Sequence, residues 1–218
     1  MMDIRQARAA ALARTTIGVM PSRSDAQVGA PLVLPPARID FGLTLMQTLR
    51  LRRSTRAYSD RPVADQMLSD LLWSAAGTNR LSGERTAPCW RHLMLIDVYV
   101  VRADGVWRYD PEAHALVPHL KEDLRALTGL QDFVAGAPLE LVYVAHGECM
   151  ADSSAEDRRL YASVDAAFIG QNVYLFCASE GLATVFRGAV DQARLGRALQ
   201  LPDHQFVTFA QSVGYGAA

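Results

Sequence analysis

Cysteine is scarce and scattered in this sequence: Cys89, Cys149 and Cys177 lie far apart in 218 residues, with no C-x-x-C pair. Such spacing argues against a disulfide framework and points to a reducing compartment. Net charge is nearly absent too, formally -1 at pH 7, so there is no basic surplus to seek nucleic acid or an anionic membrane. No window reaches the ~18 uninterrupted apolar residues of a membrane span. Also missing are a G-x-G-x-x-G turn after a strand, a Walker loop, a G-x-S-x-G elbow and an H-E-x-x-H helix. The five histidines, His92, His114, His119, His146 and His204, have no ligand spacing, and no metal site is expected. His114 and His119 fall in polar turns and read as solvated, and Cys177 reads as a small core residue.

What is present is an ordinary globular composition, 50% apolar and 21% charged, in a chain of 218 residues. That length fits one large domain or two small ones. Residues 1–40 read as an extended N-terminal arm, because Pro21, Gly29, Pro31, Pro35 and Pro36 deny it a long helix or a central strand. Arg5, Arg8 and Arg14 flank a short apolar run that Arg14 cuts. A cytoplasmic protein is therefore expected, with periplasmic export left open. Residues 41–218 form the domain.

Within it, Leu45, Met46 and Leu49 share one face of a helix from Leu43 to Leu51, and a second helix covers 64–76 before Gly77. Thr78 to Arg91 is a polar loop of 14 residues, long enough to suggest a function. Strands are expected at Leu93–Arg102, at 106–109 after an Asp104-Gly105 turn, and near 115–117. A helix is expected at 120–128, ended by Gly129. Leu139 to His146 is almost continuously apolar, the mark of a strand covered on both faces; Glu140 inside it needs an edge or a partner. The longest helix runs from Ser153-Ser154 to Gly181, with its second half apolar on nearly every side, as in a core or a subunit interface. A strand at Leu182–Arg187, a helix at 191–200 and a strand at Phe206–Val213 complete an α+β chain with a mainly antiparallel sheet between helices.

One stretch concentrates chemistry. Arg52-Arg53-Ser54-Thr55-Arg56 sets three guanidiniums beside two hydroxyls, either as a solvated helix end or as a grip for phosphate. Two further pieces stand out: Arg85-Thr86-Ala87-Pro88-Cys89-Trp90-Arg91-His92, and Gly181 to Gly188. At these residues the chain resembles the nitroreductase superfamily of FMN-dependent oxidoreductases, and within it the branch related to the SagB-type dehydrogenases. The likeness runs from about Leu45 to Tyr215.

The resemblance implies a three-layer α/β/α sandwich with a long central helix at the interface of an obligate homodimer, and two FMN sites there. It implies that Arg52, Arg53 and Ser54 hold the phosphate and ribityl chain and that Arg56 reaches the pyrimidine edge. Pro88, Cys89 and His92 would cover the ring from the other subunit. Arg187 and Gly188 would offer backbone N–H groups near N5, and Gln131 would place an amide against the pyrimidine. No catalytic side chain is implied, since the flavin carries the hydride between NADH or NADPH and a small nitroaromatic, quinone or conjugated acceptor. Two other readings stay open: a SagB-like dehydrogenase or oxidase acting on a carbon–heteroatom bond, and a flavin-binding protein with little turnover. The second is motivated by Cys89, His92 and Met94, which replace polar contacts of the covering loop. A C-terminal basic pair found in many relatives is also replaced, here by Gly214-Tyr215-Gly216-Ala217-Ala218.

Overall fold

Among the described residues, seven strands form one sheet in which every neighbouring pair is antiparallel. The computed structural model describes residues 29–217, so the arginine-flanked leader and most of the 1–40 arm lie outside the described residues. The strands are β1 (Leu32–Val33), β2 (Ile96–Arg102), β3 (Gly105–Asp110), β4 (Ala115–Leu120), β5 (Leu139–His146), β6 (Leu182–Arg187) and β7 (Gln205–Tyr215). They are ordered β1-β4-β3-β2-β5-β7-β6 across the sheet. The part of the arm that is described docks Leu32–Val33 on β4 and ties Arg38 to Asp70 through a 2.6 Å ion pair.

Period-two alternation along the central strands feeds two cores. Val98 and Val100 of β2, with Leu141, Tyr143 and Ala145 of β5, face helices α2 (Asp65–Ala76) and α3 (Ala155–Glu180). Tyr99 and Val101, with Val142 and Val144, face the other way, against Leu195 in the middle of α4 (Gln192–Ala198) and Leu199 just past its end. Covering both faces of β5 explains its unbroken apolar run and makes the fold an α/β/α sandwich. The remaining helix among the described residues, α1 (Leu45–Leu51), lies along α3.

The longest helix is delimited as its sequence indicates. Ser154 Oγ accepts the Asp157 N–H at 3.0 Å, and Gly181 closes the other end at φ 71°, a left-handed cap that suits glycine. Its 26 residues span ~39 Å at 1.5 Å per residue. No helix among the described residues is long and apolar enough to cross a membrane.

The expected helix at 120–128 does not form. Strand β4 continues through Pro118 and His119 to Leu120, and only a 3-10 turn at Arg125–Leu127 follows. Asp123 is the cause: its carboxylate accepts the Arg125 backbone N–H at 3.1 Å and grips the same residue's guanidinium at 2.8 Å. Local side-chain bonding of this kind competes with helix propagation. His114 and His119 are not solvated either. His114 bonds Ser69 Oγ at 2.7 Å and Tyr109 OH at 2.9 Å, and His119 meets the Leu199 carbonyl at 2.6 Å. Glu140 is on no edge: β5 lies between β2 and β7, and the residue is paired.

Candidate functional site

Helix α1 ends where Arg52 turns extended, at φ -53° and ψ 123°, and the arginine cluster continues as a strap beside β6. The strap is held by backbone on both sides. Thr55 N–H donates to the Thr184 carbonyl at 2.9 Å, and Ser59 N–H donates to the Tyr215 carbonyl at 2.9 Å. Strand β6 is the last of the sheet, so its outward peptide groups need partners. Thr184 finds Thr55. The Phe186 N–H finds the Tyr174 hydroxyl at 2.9 Å, and that hydroxyl is also 2.8 Å from Ser54 Oγ.

A cavity of about 460 Å³ opens between α1, α3 and β6, lined by Arg50, Arg52 and Arg53 together with Tyr174 and the Gly216-Ala217 end of the chain. Arg52 stacks its guanidinium 5.3 Å from the Tyr174 ring centroid. Among the described residues no carboxylate lies within ion-pair distance of Arg50, Arg52, Arg53 or Arg56. Guanidiniums gathered without counter-charge around a cleft form a receptor for an anion.

Further along β6, Arg187 turns its side chain inward. Its guanidinium pairs with Glu140 and donates to the Thr128 carbonyl at 2.8 Å, while Ser212 Oγ donates to Glu140 at 2.5 Å. A Cβ on Gly129 would collide with that guanidinium. Burial drives Glu140 upward to about 7, against the downward pull of Arg187, Ser212 and Thr128. Gly188 follows, exposed at the strand end. Beside it the Leu130 N–H donates to the Ala189 carbonyl at 3.0 Å, bringing Gln131 to the same end of β6. The Gln131 Oε1 atom is buried and has no hydrogen-bond partner among the described residues.

One chain therefore brings Arg52, Arg53, Ser54 and Arg56 to one side of β6, and Arg187, Gly188 and Gln131 to its far end. It does not bring Pro88, Cys89 and His92 there. Their loop docks on α3, where Asp165 accepts the Trp90 N–H at 3.0 Å. That anchor lies nine residues before Tyr174, about 14 Å along the helix axis. The loop is strained: Arg91, His92 and Met94 all have positive φ, at 50°, 58° and 49°. Cys89 Sγ is 3.5 Å from Met94 Sδ, and Trp90 stacks on Tyr161 with centroids 4.3 Å apart, packing against the core.

Sequence reasoning missed Tyr174, Asp165, Arg50 and the Glu140–Arg187 pair. Tyr174 sits in the apolar half of the long helix, which reads as core or interface, while Asp165 and Arg50 belong to no motif. Glu140 alone carried a signal, as an acid inside an apolar strand.

With the geometry in place, comparison with known proteins assigns the family. The model of the nitroreductase family matches residues 49–215. The chain belongs to the nitroreductase family. A Methanocaldococcus jannaschii protein bearing the nitroreductase name is 31% identical over 172 residues, covering 74% of this chain and 87% of that one. The crystal structure of a Ralstonia eutropha protein named in the same way superposes with a TM-score of 0.84 at 40% identity, covering 87% of this chain and 91% of the other. The NADPH:FMN oxidoreductase of Vibrio harveyi, solved with NAD+, shares the fold at a TM-score of 0.58 and 22% identity, over 80% of this chain and 69% of its own. Membership in this family makes the chain an oxidoreductase.

Proposed function

We propose that this nitroreductase-family chain binds FMN and, as a homodimer, moves hydride from NADH or NADPH to a small nitroaromatic, quinone or other conjugated acceptor. The observation that carries this reading is the uncompensated arginine cleft beside β6. A phosphate needs cationic forks and a hydroxyl donor, and Arg52, Arg53 and Ser54 supply them. The orphaned Gln131 Oε1 fits the ring N–H of the flavin pyrimidine, and a buried acceptor without a partner is costly unless a ligand satisfies it. Arg56 would reach the same pyrimidine edge. Gly188, with no side chain, allows a flat ring system to approach the strand end and the adjacent Arg187 backbone. When bound, FMN supplies the hydride chemistry, so no acid–base dyad is required of the protein. One cleft used by donor and acceptor in turn predicts ping-pong kinetics.

The homodimer is supported by an apolar row left uncovered in the single chain. Leu160, Val164 and Phe168 repeat every fourth residue along α3 and are 54%, 40% and 45% exposed, and Leu45, Met46 and Leu49 are exposed on α1. Contiguous apolar surface of this kind marks an interface. A second copy would also bring its Pro88, Cys89 and His92 loop toward the cleft that the first chain's own loop does not reach. Three free and scattered cysteines suit a reducing cytoplasm.

Titrating apo-protein with FMN by flavin fluorescence, then mixing the loaded protein with NADH or NADPH under anaerobic conditions, tests the reading. Tight quenching, a dimeric mass and rapid loss of flavin absorbance with one nucleotide are expected. Protein that stays colourless after incubation with FMN rules the reading out.

A further inference from the structure

We propose that Tyr174 is a positioning residue of the phosphate grip, orienting the Ser54 hydroxyl so that its proton faces the phosphate of FMN; this rests on the FMN reading above. The Tyr174 oxygen stands between two partners, the Phe186 backbone N–H at 2.9 Å and Ser54 Oγ at 2.8 Å. An amide nitrogen only donates, so the phenol oxygen accepts from Phe186. Between the two hydroxyls either one can donate, and the ligand decides which. A phosphate dianion has no proton to give, so a serine facing it must donate. The phenolic proton then goes to Ser54 Oγ. The result is a one-way relay from Phe186 N–H through Tyr174 O–H and Ser54 O–H to a phosphate oxygen, each bond polarising the next.

Three observations separate this from an ordinary packed tyrosine. Ser54 is exposed, and its only hydrogen bond among the described residues is the one to Tyr174. The Tyr174 ring lies 5.3 Å from the Arg52 guanidinium, so one side chain touches two members of the grip. The tyrosine also lines the arginine cavity itself. Its hydroxyl is anchored to the β6 backbone at Phe186 and so ties the Ser54 hydroxyl to the strand's position.

Substituting Tyr174→Phe removes the relay and keeps the ring beside Arg52. The test is fluorescence titration of apo-protein with FMN and with riboflavin, which lacks the phosphate, in wild type, Tyr174→Phe, Ser54→Ala and the double variant. Tyr174→Phe should weaken FMN roughly tenfold, the scale of one hydrogen bond to a charged group, and leave riboflavin unchanged. Ser54→Ala should do the same, and the double variant should bind FMN no more weakly than Ser54→Ala, because the tyrosine acts through the serine. Undiminished FMN affinity in Tyr174→Phe overturns the proposal. So does an equal loss of both flavins, which signals a structural role, and so do additive losses in the double variant. Should Tyr174→Phe not fold, Ser54→Ala at its exposed position decides, and unchanged FMN affinity there overturns the relay. A wild-type protein that binds neither flavin overturns the FMN reading itself, whereas a wild type that binds FMN tightly leaves only the relay in question.

Discussion

Arg187, at the end of β6, and Arg52, beside the same strand, carry the same charged group, yet the fold uses them in opposite ways. Arg187 is enclosed with Glu140, Thr128 and Ser212, and its charge is answered within the protein. Arg52 lies against an aromatic face with no carboxylate among the described residues within ion-pair distance. An arginine answered internally sets the shape of a site, and one left unanswered recruits a ligand. On the proposed reading, the side and the far end of one edge strand divide the work of building the cleft and filling it.

Breaking the enclosed pair should have the largest effect. Arg187→Met leaves Glu140 buried without its counter-ion, and a loss of roughly 3–5 kcal/mol in a urea unfolding curve is expected. Replacing both partners with apolar residues of similar volume should return much of that loss. Arg52→Ala should behave in the converse way. The apo-protein should unfold at the wild-type urea concentration, while FMN affinity drops roughly 10- to 100-fold, because a charge-assisted contact to the ligand is gone. If Arg52→Ala keeps full flavin occupancy, the contrast between the two arginines collapses.

The enclosed pair should also show itself through pH. Glu140 stands at about 7 in the fold, above its ordinary 4.5, so the folded chain holds that proton more tightly than the unfolded one. The corresponding stability is present in full below pH 4.5 and is lost as the pH rises through about 7. Urea midpoints measured from pH 5 to 8 should therefore fall, and Glu140→Gln should flatten that slope. The smallest effect is expected at the covering loop. Asp165→Ala deprives the Trp90 amide of its acceptor at a cost of about 1–2 kcal/mol. Limited proteolysis should then cut near Arg91 faster than in wild type, while FMN binding at the arginine strap changes less than in Arg52→Ala.

The elements that read correctly from sequence are those whose signal is local and repeated. Strand β5 announces itself by unbroken apolar residues, and α3 by its serine cap and terminal glycine. Asp104-Gly105 announces the hairpin that Gly105, at φ 145°, completes. The 120–128 segment misled because a single Asp123–Arg125 grip outweighs nine residues of helical pattern. At the site, the arginine cluster was visible because three guanidiniums fall within five residues, whereas their lack of a carboxylate partner among the described residues is a property of the fold. Tyr174 was not, since within an apolar helix its ring is indistinguishable from core, and only the approach of β6 and the strap gives its hydroxyl two partners. For the same reason the inward turn of Arg187 was hidden. Its partner, Glu140, lies 47 residues away in the chain and meets it only across a folded sheet.

The strap that carries Ser54 and Thr55 has a second consequence. Strand β6 ends the sheet, and an uncovered terminal strand is a template on which other chains can add strands and grow aggregates. Thr55 and Tyr174 stopper two of its outward peptide groups. If the strap grips phosphate as proposed, recognition and colloidal solubility are built from the same few atoms, and a lesion that frees the strap would turn a ligand-binding defect into a precipitating protein.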